Sequence, residues 1–280
     1  MSPAPRMSKR SSDRRARRAG LTSFRSYPVS TVDASARQAR GPTHARQVKL
    51  RIVPDRLVVS EVFDSVQGEG PSTGVPSTFL RLGLCNLACV WCDTAYTWDA
   101  RRFDLQDELR SRSLEEVAED LAQRAPKNLV LTGGEPLLQA DALDALVPTL
   151  TQRIEVETAG TLAPSPTLLA HVAQWNVSPK FASSGNAVSK RRRDDVLSTF
   201  ASIDHAYFKL VIADDTDLAE ARALLDAHNV PRERTWLMPE GTTPERIAER
   251  GRWLADVCTR EGYRLGTRLH VVLWGDRRGV

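Results

Sequence analysis

An α/β fold, laid out as a partial β/α barrel open on one side with about six parallel strands, is what this sequence predicts. Three observations carry that expectation. From about Val48 onward, short runs of apolar and β-branched residues alternate with stretches of helical periodicity. That is the pattern of strands joined by crossover helices, which pair in parallel. The tally reaches six or seven strands, too few for a closed eight-fold barrel. Polar motifs, several rich in glycine, follow the strands directly, at the ends where such folds carry their chemistry.

In chain order, residues 57–63 form the first strand and run into the loop Asp64-Ser65-Val66-Gln67-Gly68-Glu69-Gly70-Pro71, whose glycines permit unusual backbone angles. The strand 78–84 delivers a cysteine-bearing loop. Ser113 and Glu116 open a helix as a capping box, with Leu114, Val117, Ala118 and Leu121 at helical spacing. A short buried strand, 128–131, ends in Thr132-Gly133-Gly134-Glu135-Pro136, and a helix over 141–150 follows. Strands at 153–157 and 174–177 come next, the second ending in Ser178-Pro179-Lys180. The basic run Lys190-Arg191-Arg192-Arg193 reads as a solvated loop before a helix at 194–200. A strand at 205–212, a helix at 217–227 and a strand at 234–238 continue the alternation. Thr243-Pro244-Glu245 starts a long helix with proline in its first turn, ending near Gly262, and 267–274 reads as the last strand.

Composition sets the broad class. Hydrophobic content of 41% and charged content of 26% are ordinary for a soluble globular protein, and no apolar run approaches a membrane span. The net charge of +4 is unevenly placed, since residues 1–50 hold twelve Lys or Arg against two Asp. Those fifty residues, rich in Arg, Ser, Pro and Ala, read as a disordered basic tail. Residues 51–280 form the catalytic domain, mildly acidic and without the basic surface of a nucleic-acid binder. Four cysteines, three of them clustered, make no disulfide framework, which places the chain in a reducing, cytoplasmic setting.

The cysteine loop, Cys85-Asn86-Leu87-Ala88-Cys89-Val90-Trp91-Cys92, is the strongest chemical signal. Its spacing points three thiolates at one small volume, and thiolates suit zinc or iron–sulfur. Structural zinc wants four protein ligands, and Cys258 lies far away in a helical pattern. Cubane clusters also normally take four cysteines, so three imply a cluster with one iron open for chemistry. Incidental cysteines and a zinc clip in a non-catalytic module are the other readings of the spacing.

The Cys85, Cys89, Cys92 spacing resembles the signature of the radical S-adenosylmethionine enzymes. The resemblance implies a [4Fe-4S] cluster whose open iron is chelated by S-adenosylmethionine, whose cleavage yields a 5′-deoxyadenosyl radical. It also implies the partial barrel already expected. Several stretches narrow the resemblance: Phe63–Gly70, Phe79-Leu80-Arg81-Leu82, Cys92-Asp93-Thr94, Thr132–Gln139 and Glu157-Thr158-Ala159-Gly160-Thr161. Together they are similar to the 7-carboxy-7-deazaguanine synthase family over roughly residues 57–280. That family implies ring contraction of a 6-carboxytetrahydropterin with loss of ammonia, a magnesium ion, a homodimer and an electron donor such as flavodoxin or ferredoxin.

Residue roles follow from both sources. In the radical enzymes Gly133-Gly134-Glu135 meets the S-adenosylmethionine amino group; a carboxylate there can accept its hydrogen bonds. Ser178, Pro179 and Lys180 are expected at its ribose or carboxylate, Trp91 near its adenine, and Asp93 at cofactor or backbone. Val66, Gln67, Gly68 and Glu69 are expected to match the donor–acceptor edge of the pterin. Arg81 offers a bidentate fork to the substrate carboxylate, and Thr94 offers magnesium a hydroxyl oxygen. Thr132, Glu157 and His270 are further substrate candidates. Met238-Pro239 stands where the family often has Gln-Pro, which weakens a cofactor contact there. A glycyl-radical-enzyme activase is the alternative activity, and Gln67, Glu69 and Arg81 speak against it because a small anionic ring explains all three. Replacing Cys89 with alanine is expected to abolish cluster assembly and cofactor cleavage together, read as iron and sulfide content and 5′-deoxyadenosine release.

Overall fold

The computed structural model describes residues 50–280, so the expected tail over residues 1–50 lies outside it but for its last residue. Nine strands form one sheet: β1 (Arg56–Val66), β2 (Pro76–Leu82), β3 (Arg110–Ser113), β4 (Asn128–Gly133), β5 (Arg153–Thr158), β6 (Val172–Val177), β7 (Ala206–Ile212), β8 (Thr235–Pro239) and β9 (Arg264–Leu265). Their order is β3-β1-β2-β4-β5-β6-β7-β8-β9. From β2 to β9 every neighbour is parallel, and the sheet does not close. The expected partial barrel is therefore present.

Strand alternation sorts the two faces. Leu80 and Leu82, Leu129 and Leu131, Ile154 and Val156, Trp175 and Val177, Leu210 and Ile212 form one continuous buried core with the helices. The intervening residues face the concave interior and are largely polar, including Arg81, Thr132, Glu157, Asn176 and Lys209. Helix starts follow their capping chemistry. Ser113 and Glu116 make the reciprocal capping box at 3.2 and 2.7 Å. Thr243 caps Pro244–Glu261, and Gly262 ends that helix in a left-handed conformation, φ 80°.

Three expectations are corrected. β1 is not one of the parallel strands: it forms an antiparallel hairpin with β2, Val66 facing Pro76. The Gln67–Gly70 loop therefore enters from the N-terminal end of the parallel strands, not from the C-terminal end with the other motifs. The stretch 267–274 is not a strand. It forms the helix Leu269–Trp274, because Arg268 is drawn into the interior and the Leu269 N–H bonds the Gly68 carbonyl at 2.9 Å, leaving only β9 in the sheet. The run 190–193 is not wholly solvated either. Arg191 is buried and donates to Glu220 and to the Lys180 and Asn186 carbonyls. The helix Pro166–His171, capped by Ser165, and the short strand β3 are additions to the expected set. Among the described residues no helix is long and apolar enough to cross a membrane.

Two devices hold the cysteine loop against the sheet. Gln139, fully buried, accepts from the Val58 N–H at 2.7 Å and donates to the Val58 and Gly83 carbonyls, each at 3.1 Å. Beside it, Gly134 and Glu135 donate backbone bonds to the Leu82 and Leu84 carbonyls at 3.0 and 2.9 Å. A Cβ on Gly134 would lie 1.9 Å from the Leu84 oxygen, a backbone atom that cannot swing aside. Gly134→Ala should therefore lower the melting temperature and the cluster yield together. Gly251→Ala, in the long helix with nothing within 4 Å of its added carbon, should instead stabilise by about 0.5–1 kcal/mol. Thermal melts of both variants check the contrast.

Candidate functional site

The interior of the sheet holds a cavity of about 490 Å³. Its walls come from two sides: loops after the parallel strands, and the β1–β2 loop from the opposite end. At that opposite end the interior is filled by polar groups. Ser72 donates to Glu155 at 2.5 Å, Gln174 and Asn176 close on the other Glu155 oxygen at 3.2 and 3.3 Å, and Arg153 pairs with the same carboxylate. This plug keeps the fully buried Glu155 charge satisfied.

Above the plug, all the expected substrate residues converge. Val66, Gln67, Gly68, Glu69, Arg81, Thr132, Glu157 and His270 all line the cavity, with Asp93, Thr94, Gly133, Gly134 and Ser178. Gln67 braces its own loop, accepting from the Glu69 N–H at 3.1 Å and donating toward Glu157 at 3.4 Å. Thr132 donates to Glu157 at 2.8 Å. Gly68 lies against the His270 ring, where an added Cβ would meet Nδ1 at 2.3 Å. Burial lowers the His270 pKa, disfavouring the charged imidazole. Arg81 pairs through Nε with Glu61 at 2.8 Å, and its side chain also borders the cavity. Glu61 in turn accepts from Tyr96 at 2.7 Å and from Arg278 at 3.2 Å.

Two cations that sequence reasoning missed organise these carboxylates. Lys209, in the middle of the apolar strand β7, contacts Glu69 at 2.5 Å and Glu157 at 3.0 Å. Arg268 donates to Glu69 at 3.0 Å, to Asp93, and to the Gly241 carbonyl at 2.6 Å. Burial alone would raise the Glu69 carboxyl, but Lys209 and then Arg268 outweigh it and hold it well below the usual range. The signal for Lys209 was a charge inside an otherwise apolar strand. Arg268 gave none, since its partners are remote in sequence.

The cysteine loop flanks the cavity. Cys85, Cys89 and Cys92 pack with Leu87 and with Ala159, and Ala159 is a cavity wall. Each sulfur is approached by one N–H donor: Leu87 to Cys85 at 3.4 Å, Asn186 to Cys89 at 3.2 Å, and the Trp98 indole to Cys92 at 3.4 Å. Burial pushes the Cys85 thiol up to about 12 and raises Cys89 as well, so ionised sulfur there calls for a cationic centre. With N–H donors aimed at every sulfur, the donor set fits a cluster with three protein ligands.

The remaining expected residues are placed as follows. Glu135 is fully buried, its carboxylate accepting from the Leu137 and Ala159 N–H groups and the Thr158 hydroxyl at 2.8–3.1 Å. Lys180 lies 5.9 Å over the Trp91 ring and donates to the Ser178 carbonyl and hydroxyl at 2.8 and 2.9 Å. Pro179 sits between them, and the Thr94 hydroxyl is 3.6 Å from the Cys92 sulfur. Trp91, Asp93, Ser178 and Met238 border a smaller cavity of about 90 Å³, together with Lys209 and Arg268.

Comparison with known proteins agrees with this geometry. Residues 66–163 match the family model described as a 4Fe-4S single cluster domain. A 7-carboxy-7-deazaguanine synthase of Pyrobaculum aerophilum is 37% identical over 227 residues, covering 80% of this chain and 97% of that protein. The enzyme of the same name from Halobacterium salinarum is 35% identical, covering 79% of this chain and 91% of its own. The crystal structure of QueE from Escherichia coli shares the fold, with a TM-score of 0.59 at 24% identity, covering 77% of this chain and 95% of that one.

Hydrogen bonds to ligating sulfurs tune cluster potential. Asn186→Ala is expected to leave iron and sulfide content unchanged while moving the cluster midpoint to more negative potential. A redox titration with an unmoved midpoint would mean that this bond does not reach the cluster.

Proposed function

The chain belongs to the 7-carboxy-7-deazaguanine synthase family, and we propose on that basis that its cavity converts 6-carboxy-5,6,7,8-tetrahydropterin to 7-carboxy-7-deazaguanine with loss of ammonia. The observation that supports this most is the meeting of the three-cysteine loop with Glu69, Glu157, Thr132, Arg81 and His270 around one cavity. A [4Fe-4S] cluster and S-adenosylmethionine, when bound, supply the radical that abstracts hydrogen from the substrate.

The chain's own residues do the rest. Cys85, Cys89 and Cys92 would hold the cluster through their three sulfurs. Trp91, Asp93, the Gly133–Gly134 backbone and Ser178-Pro179-Lys180 would border S-adenosylmethionine, while Glu135 fixes the Ala159 wall. The Glu69 and Glu157 carboxylates accept from the pterin N–H edge, and the Val66–Gly68 backbone, Gln67 and Thr132 complete that edge. Arg81 has one guanidinium edge committed to Glu61 and presents its other nitrogens to the substrate carboxylate. Thr94, at the cavity wall, would offer its hydroxyl to a magnesium ion. His270 closes the site over Gly68 as a neutral donor or acceptor. Electrons come from a flavodoxin- or ferredoxin-like donor. Val90, between two of the cysteines and 72% exposed, leaves that loop accessible to one.

Anaerobic incubation of the reduced, cluster-loaded protein with the carboxytetrahydropterin and S-adenosylmethionine tests the reading. Deazaguanine product is expected. Its absence from fully loaded protein, or a glycyl radical installed on a partner enzyme instead, would overturn the assignment. Arg81→Ala should keep the cluster and weaken substrate binding by about 1.5–3 kcal/mol, the worth of hydrogen bonds to a charged group. An unchanged KM would place the substrate carboxylate elsewhere.

A further inference from the structure

We propose that Lys209 is a positioning residue for substrate recognition, its ammonium bridging Glu69 and Glu157 so that both carboxylates face the cavity at a fixed separation. This rests on the reading that those two carboxylates bind the pterin edge.

Lys209 lies between Phe208 and Leu210, both fully buried, and its own side chain is only 6% exposed. An unpaired ammonium there would carry a large desolvation penalty. It is paired twice, with Glu69 Oε2 at 2.5 Å and Glu157 Oε1 at 3.0 Å. The two carboxylates reach it from unrelated directions. Glu157 projects from β5, whereas Glu69 rides on the β1–β2 loop that enters from the far end of the sheet. Their second oxygens are held by other groups, Glu157 Oε2 by Thr132 at 2.8 Å and Glu69 Oε1 by Arg268 at 3.0 Å. Lys209 is thus the group that bonds both carboxylates directly and sets one relative to the other, with a longer contact from Gln67 to Glu157 at 3.4 Å beside it.

A lysine suits this task better than an arginine. Its ammonium is a compact charge with three donors that can diverge, so it joins two carboxylates at one point. A planar guanidinium would spread them. Buried ion pairs of this kind seldom add net stability over apolar replacements, which leaves placement as the function of the group. Two carboxylates held at a set distance can accept from neighbouring N–H groups of a flat heterocycle without reorganising on binding.

Steady-state kinetics on cluster-loaded protein test the role. Lys209→Met should keep wild-type iron and sulfide content and raise the KM for the carboxytetrahydropterin by about tenfold or more, with a smaller change in kcat. Lys209→Arg should be intermediate, since it keeps the charge but widens the bridge. A wild-type KM in loaded Lys209→Met would overturn the proposal, as would a loss confined to kcat. If Lys209→Met does not load its cluster, Lys209→Arg decides, and a wild-type KM there has the same meaning. Wild-type protein run alongside separates this idea from the one beneath it. No deazaguanine from wild type removes the substrate assignment itself, whereas wild-type turnover with an unmoved variant KM removes only the role of Lys209.

Discussion

The contact on which the site depends is a backbone approach with no room for a side chain. At the end of β4, Gly133 and Gly134 lie so close to Leu82 and Leu84 that a Cβ on either would stand about 2 Å from a carbonyl oxygen. The approach lets Gly134 and Glu135 bond the carbonyls just ahead of Cys85. It also requires Leu84 to adopt a left-handed backbone, φ 72°, which turns the chain out of β2 and into the cysteine loop. One strand thus supplies the cavity residue Thr132 and fixes where the sulfurs begin. Glu135 extends the same tie by bonding the backbone of Ala159, the residue that separates cysteine loop from cavity. Loop, wall and cavity are thus tied together by backbone hydrogen bonds.

Charge is handled by the same economy of placement. The concave face gathers Glu69, Glu157 and Asp93 against Lys209 and Arg268, with the burial-lowered His270 beside them. Removed from water, these groups interact far more strongly than at the surface, so the carboxylates are paired and already oriented before a ligand arrives. Arg81 differs in kind. Its partner Glu61 is itself shared with Tyr96 and Arg278, so the guanidinium is only partly neutralised and retains attraction for an anion entering the cavity.

Much of this was legible in the sequence because it is local. The three-cysteine spacing, the Gly-Gly turn after a buried strand and the Ser113 capping box each lie within a few residues, and short-range geometry decides them. The alternation of strands and helices gave the parallel sheet for the same reason. What escaped depends on remote partners. The direction of β1 is set by pairing across the Gln67–Pro76 loop, and nothing in the apolar run 57–63 distinguishes a hairpin strand from a crossover strand. Residues 267–274 carry β-branched and aromatic side chains, yet Arg268 reaches Glu69 and Asp93, 199 and 175 residues earlier, and the chain curls into a helix to let it. Tertiary charge pairing overrode local propensity.

Lys209 marks the boundary between the two cases. Strand alternation puts it on the face opposite Phe208 and Leu210, and that could be read from the sequence. Its consequence could not, because Glu69 and Glu157 come from other elements. The sulfur environment follows the same rule. Leu87 donates to Cys85 from two residues away and Trp98 to Cys92 from six, but Asn186 reaches Cys89 across ninety-seven. Its segment is anchored in turn by the buried Arg191, which bonds the Asn186 carbonyl and Glu220. The electronic character of the cysteine loop is therefore set partly by a basic run whose composition alone suggested only solvated surface.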